Sequence, residues 1–186
     1  PGTYVVTVTD FYQCTKIGAV IIEEPNLLLG NIQHVNVRCF GENSGRAWAG
    51  AVGGTSPYSF NWSGGTPTNA LGDTVIDLLA GTYYLTITDA NGCTFNDSVV
   101  ITEPALLVTS MDSIDVLCFG DSTGRAWVTA TGGNGGYTYT WSGGSPGLSP
   151  DTIVALPPDI YLVTVADQFN CTQQADVTIQ EPNLLL

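Results

Sequence analysis

Sulfur and carboxylate are the groups in this chain that recur at spacings chemistry can use. The cysteines are Cys14, Cys39, Cys93, Cys118 and Cys171, no pair has Cys-x-x-Cys spacing, and the single histidine is His34. A zinc site therefore lacks its ligands, and a thiol–imidazole or Ser-His-Asp arrangement cannot repeat along the chain. Glycine pairs are not followed by Gly-Lys-Ser/Thr, so a phosphate loop is absent, and no lysine lies between residues 26 and 182 to form an isopeptide crosslink. Paired carboxylates fall in turns and connections rather than in a cleft that glycoside hydrolysis would need. No catalytic residue is expected, and the chemistry left to the thiols is disulfide formation.

The strands and turns around these groups repeat nearly the same text three times. Cys39-Phe40-Gly41-Glu42-Asn43-Ser44-Gly45-Arg46-Ala47-Trp48 returns 79 residues later as Cys118-Phe119-Gly120-Asp121-Ser122-Thr123-Gly124-Arg125-Ala126-Trp127. The block from Gly81-Thr82-Tyr83 through Asp89, Cys93 and Glu103-Pro104 has one copy upstream and another 78 residues downstream. A period this long is a whole small domain. The phase predicts the end of one repeat over 1–25, complete repeats over 26–104 and 105–182, and the start of another over 183–186.

Within each repeat the hydrophobic period is two, with no helical stretch. Ala47, Ala49 and Ala51 alternate with Trp48; Tyr58, Phe60 and Trp62 with Ser59 and Asn61; Tyr83, Leu85 and Ile87 with Tyr84, Thr86 and Thr88. Ile76 and Leu78 mark a further strand, and Asp89-Ala90-Asn91-Gly92 a hairpin turn returning through Val99 and Ile101. Six or seven short strands, a Trp on the third and a Tyr opening the sixth predict an all-β fold: tandem immunoglobulin-like β-sandwiches arranged head to tail. Tyr4, Tyr83 and Tyr161 are either tyrosine corners or ordinary core aromatics. The net charge of -13 with four basic residues argues against nucleic acid as a partner. No apolar run reaches the ~20 residues of a membrane helix, so no membrane insertion is expected of this segment.

The Cys-Phe-Gly-Asp-Ser-Thr-Gly string, the later Tyr-x-Tyr-x-Trp-Ser and the Asp-Ala-Asn-Gly-Cys turn resemble the SprB-type repeat of giant surface adhesins of gliding and related Bacteroidetes-type bacteria. The resemblance implies a secreted, cell-surface, multi-repeat adhesin or filament exported by the type IX route. Asp159-Ile160 replaces the usual Gly-Thr, and Trp48 and Trp127 stand where a small residue is usual. Asp-Ser/Thr strings resemble the O-glycosylation signal of such bacteria, which makes Thr74, Ser98, Ser113, Ser122 and Thr152 candidates for modification.

Two disulfide pairings stand open. Within repeats, Cys39 would join Cys93 and Cys118 join Cys171. In a sandwich, however, the first turn and the last hairpin sit at opposite ends, roughly 20 Å apart, beyond the ~7 Å Cα limit. Head-to-tail stacking would instead allow Cys39–Cys171, with Cys14 and Cys93 reaching upstream and Cys118 downstream. The same stacking would bring Glu103 toward Asp167 and Glu24 toward Asp89, where a calcium ion is conceivable; no other cofactor is expected. Glu103-Pro104 and Glu24-Pro25 are short connections without a flexible tether. The expected partners are neighbouring repeats, identical chains in a filament, and surface polysaccharide or other cells. The expected role is a stiff extracellular shaft. The alternative is a carbohydrate-binding array using Trp48 and Trp127, placed by alternation on an outer sheet face.

Overall fold

The computed structural model describes residues 1–185, as sixteen strands with no helix among them. A hairpin of β1 (Gly2–Thr9) and β2 (Thr15–Ile22) comes first. The first complete sandwich follows: β3 (Leu29–Val35), β4 (Gly45–Val52), β5 (Ser59–Trp62), β6 (Thr66–Pro67), β7 (Thr74–Leu78), β8 (Gly81–Thr88) and β9 (Thr94–Ile101). The second comprises β10 (Ala105–Ile114), β11 (Gly124–Gly133), β12 (Thr138–Trp141), β13 (Ser145–Pro146), β14 (Thr152–Leu156), β15 (Asp159–Ala166) and β16 (Thr172–Ile179).

In each sandwich a four-stranded sheet faces a three-stranded one. The orders are β3-β4-β7-β6 with β5-β8-β9, then β10-β11-β14-β13 with β12-β15-β16. Written by strand letter this is ABED against CFG, the constant-type immunoglobulin arrangement. No cysteine lies on β4 or β8. The core of the first sandwich is Val37, Ala47, Val75, Leu78, Val99 and Ile101, with Ile32, Trp62 and Tyr83 packed against them. The second repeats this with Val116, Ala126, Ile153, Leu156, Tyr161 and Ile179, and extends it through Val128, Val163 and Val165.

Ile76 and Leu78 both lie on β7, as expected, but they do not share its buried face. Val75 and Leu78 are fully buried and Ile76 is exposed, as Ile153 and Leu156 are buried in β14. Asp77 takes φ 59° and Ala155 φ 58°, and the pairing of β4 with β7 slips between Gly45 and Ala47. One residue in left-handed geometry shifts the alternation by one, so the two inward side chains sit three apart rather than two.

Two recurring details fix the corners. The Tyr83 hydroxyl donates to Leu79 O at 3.1 Å and the Tyr161 hydroxyl to Pro157 O at 3.0 Å, each bonding four residues back as a tyrosine corner does. Tyr161→Phe is expected to cost about 1 kcal/mol in denaturant unfolding, the net worth of one such bond. A glycine pair stands just past β4, as Gly53-Gly54, and at the end of β11, as Gly132-Gly133. A Cβ on Gly53 (φ +74) would meet Leu27 O at 2.0 Å, and one on Gly132 (φ +78) would meet Leu106 O at 1.9 Å. Gly132→Ala should therefore lose about 2 kcal/mol by thermal or chemical unfolding, from the clash and the left-handed backbone together. The exit strands close the other end: Val37 N donates to Thr102 O at 3.0 Å and Val116 N to Gln180 O at 3.0 Å.

Candidate functional site: the junction between the sandwiches

The turn joining β3 to β4 carries Cys39, and the hairpin joining β15 to β16 carries Cys171. Their sulfurs are bonded at 2.06 Å, with Cα atoms 5.6 Å apart and 132 residues of sequence between them. The bond thus crosses from the foot of the first sandwich to the head of the second. Cys14, Cys93 and Cys118 are exposed free thiols.

Local chemistry holds each sulfur in place. In the turn, Arg38 N donates to Ser44 Oγ at 2.9 Å, Glu42 N to Cys39 O at 3.2 Å, and Gly41 N to Glu103 Oε2 at 2.6 Å. Gly41 has φ +75, a backbone conformation that glycine adopts without steric cost. The second sandwich repeats the turn: Leu117 N to Thr123 Oγ1 at 3.1 Å, Asp121 N to Cys118 O at 3.1 Å, Gly120 N to Glu181 Oε2 at 2.9 Å. A glutamate at the exit of each sandwich therefore braces the turn that presents its cysteine.

The hairpin is held by a buried carboxylate. Asp167 Oδ1 accepts from Phe169 N at 2.8 Å and Cys171 N at 3.0 Å; Oδ2 accepts from Asn134 N and Asn134 Nδ2, both at 2.8 Å. Asn134 Nδ2 also donates to Arg38 O of the first sandwich at 2.9 Å, a second tie across the junction. Burial pushes the Asp167 carboxyl up, but the hydrogen bonds from Asn134, Cys171 and Phe169 outweigh it and hold the group below its ordinary value. Asp89 does the same in the first sandwich, lowered chiefly by the Thr55 N–H, with Cys93 N at 2.8 Å and Asn91 N at 2.9 Å on Oδ1. Asp10 repeats the pattern with Tyr12 N and Cys14 N at 2.8 and 2.9 Å.

These bonds occupy three of the four carboxylates named for an interdomain calcium ion. Asp89 and Asp167 turn their oxygens to N–H donors, and Glu103 is taken by Gly41 N. A cation would have to displace those donors while offering no acceptor in return. Among the described residues no group of three or more His, Cys, Asp or Glu is disposed to hold a metal. The recurring Asp-x-x-x-Cys spacing and exit Glu-Pro were visible in the sequence, and they mark turn braces. Asn134 carried no such signal, because Thr55 stands at its position in the first sandwich.

Trp48 lies on the outer face of β4, in register with Gln33 on β3 and Thr74 on β7. It is 37% exposed, and the Arg46 guanidinium sits 5.9 Å from its ring centroid. A face on which a sugar would stack is thus held by a cation. Trp127 is half-buried, in register with Asp112 and Thr152. Of the candidate hydroxyls, Ser98 on β9 and Ser122 in its turn are exposed; Thr74, Ser113 and Thr152 are half-buried in strands, with Thr152 Oγ1 2.9 Å from Asp151 Oδ1.

Comparison with known proteins places this geometry. The SprB repeat matches residues 31–67 and 112–146, the stretch from strand A to strand D of each sandwich. No curated protein matches the chain. Among solved structures it is similar to the N-terminal eight immunoglobulin domains of Down syndrome cell adhesion molecule isoform 1.30.30, at 12% identity and TM-score 0.53, over 98% of this chain and 28% of that one. It also matches the C-terminal 282-residue fragment of intimin, at 16% identity and TM-score 0.38, over 87% of this chain and 65% of that one. At 12% identity the first of these likenesses bears on the fold alone.

Proposed function

We propose that this chain, carrying two SprB repeats in tandem immunoglobulin-like sandwiches, is part of the stiff shaft of an adhesin outside the cell. The match to the SprB repeat supports the adhesin reading that the resemblance implies, and disulfides persist in the oxidising exterior. One observation carries the stiffness: consecutive sandwiches are joined twice, by the peptide at Glu103-Pro104 and by Cys39–Cys171. Two bodies joined at one point bend and twist freely. A second covalent attachment leaves rotation only about the line through both points, and the Asn134–Arg38 hydrogen bond resists that. The net charge of -13 adds repulsion between acidic bodies, which favours an extended line.

On this reading Cys118, in a turn braced by Glu181, and Cys93, in a hairpin held by Asp89, are the two halves of the same staple, each taken by a neighbouring repeat. Cys14 takes the hairpin role for the repeat before. Export by the type IX route, glycans at Ser98 or Ser122, and assembly of identical chains into a filament belong to the same proposal. Small-angle scattering tests it directly. The oxidised protein should give the profile of a single extended conformer, and dithiothreitol should broaden it into that of bodies pivoting at residue 104. Identical, freely pivoting profiles in both states would remove the shaft.

A further inference from the structure

We infer that the staple takes the body of each sandwich out of the path that carries tension, so that strands A and G alone are pulled. The inference deepens the shaft reading and rests on its staple, though not on its stiffness. Tension entering the first sandwich passes along β3 to Cys39. There the covalent route divides. One branch goes the long way, through both sandwich bodies; the other crosses the sulfur–sulfur bond to Cys171 and runs down β16 to the exit at Glu181. The short branch is taut first, because the long one contains 132 residues of sequence closed into a ring.

The two pulled strands have almost no length left to give. A strand already rises ~3.3 Å per residue, against a limit of ~3.3–3.6 Å for a fully extended chain. The ring meanwhile holds about 450 Å of contour that tension cannot draw out. In an unstapled array of sandwiches, resistance to pulling depends on hydrogen bonds between terminal strands, and each failure releases a whole domain. Here those bonds need not carry the load. Strands β4 to β9, with the Trp48 face and the CFG sheet, stay folded while β3 is pulled, and so do β10 to β15 of the second sandwich while β16 is pulled.

Repetition makes the path continuous. With Cys118 and Cys93 joined to neighbouring repeats as proposed above, tension would run through strand A of one sandwich, strand G of the next and strand A of the third. A second path of the same kind would interleave with it. Each sandwich would keep its middle five strands as a passenger.

Single-molecule pulling from the two termini tests this, in a Cys14→Ser, Cys93→Ser, Cys118→Ser background that prevents thiol exchange. The oxidised protein should yield only the β1–β2 hairpin, about 75 Å of chain, and then stiffen until rupture. Dithiothreitol should restore two unfolding steps of about 250 Å each. Adding Cys171→Ser, or separately Cys39→Ser, should give both steps without reductant. Two full steps in the oxidised protein, with the bond verified by mass, would overturn the inference. The scattering test fails separately: a freely bending oxidised chain without the steps would sink the stiff shaft and leave the tension path standing, and a rigid rod that shows both steps would do the reverse.

Discussion

Cys171→Ser will lower the unfolding free energy of the second sandwich by about 4 kcal/mol. When that sandwich unfolds with the first still folded, its chain remains tied at both ends, at Pro104 and through Cys171 to Cys39. The loop so closed is about 70 residues, and the chain-entropy model gives such a loop about 4 kcal/mol. For a domain of this size the change corresponds to a fall of on the order of 15 °C or more in Tm. Calorimetry of wild type, variant and reduced wild type measures it. The variant and the reduced wild type should coincide. A midpoint unmoved by either treatment would mean that the staple adds nothing to the fold.

Asp167→Ala will cost about 3 kcal/mol and will delay formation of the staple. The carboxylate is 3% exposed and accepts four hydrogen bonds, three of them from backbone N–H groups. Removing it takes the acceptor from these part-buried donors and frees the hairpin that aims Cys171 at Cys39. Asp167→Asn keeps one oxygen and should fall between. The pH dependence follows in sign. The folded carboxyl lies below its ordinary value of 3.8, so its contribution is complete above that value and is lost as pH falls through the lower, folded one. Asp89 shifts in the same direction. Denaturant titrations from pH 6 down to pH 2 should show wild type losing stability below about pH 4, with a shallower loss in Asp167→Asn. Superimposable curves would deny Asp167 its role.

Much of the architecture was legible in the residues. Alternation along Tyr83–Ile87 and Tyr58–Trp62 marked β8 and β5, and the 79-residue offset between Cys39 and Cys118 separated the sandwiches. The parity of β7 was not legible. Nothing in Thr74-Val75-Ile76-Asp77-Leu78 announces that Asp77 adopts φ 59°, and the bulge arises where β7 meets Gly45 on another strand. The roles of the acidic residues were half legible. Their spacing from the cysteines was plain, but whether a carboxylate meets a cation or an N–H group depends on which backbone folds back onto it. Glu103 and Gly41, 62 residues apart, meet only because strands A and G end side by side.

The sequence by itself determined that this protein is a row of small β-sandwiches with a thiol in each first turn and each last hairpin. Side-chain alternation, turn residues and repeat length are local properties, written within a few positions of one another. Only the tertiary structure decided which thiols meet. Each cysteine recurs at the same place in every repeat, so composition and spacing do not separate the pairings. The strand order puts turn and hairpin at opposite ends of one sandwich, and the short Pro104 connection sets the foot of the first against the head of the second. Proximity across 132 residues is a property of packed bodies, and it turns two separate domains into one doubly tethered unit.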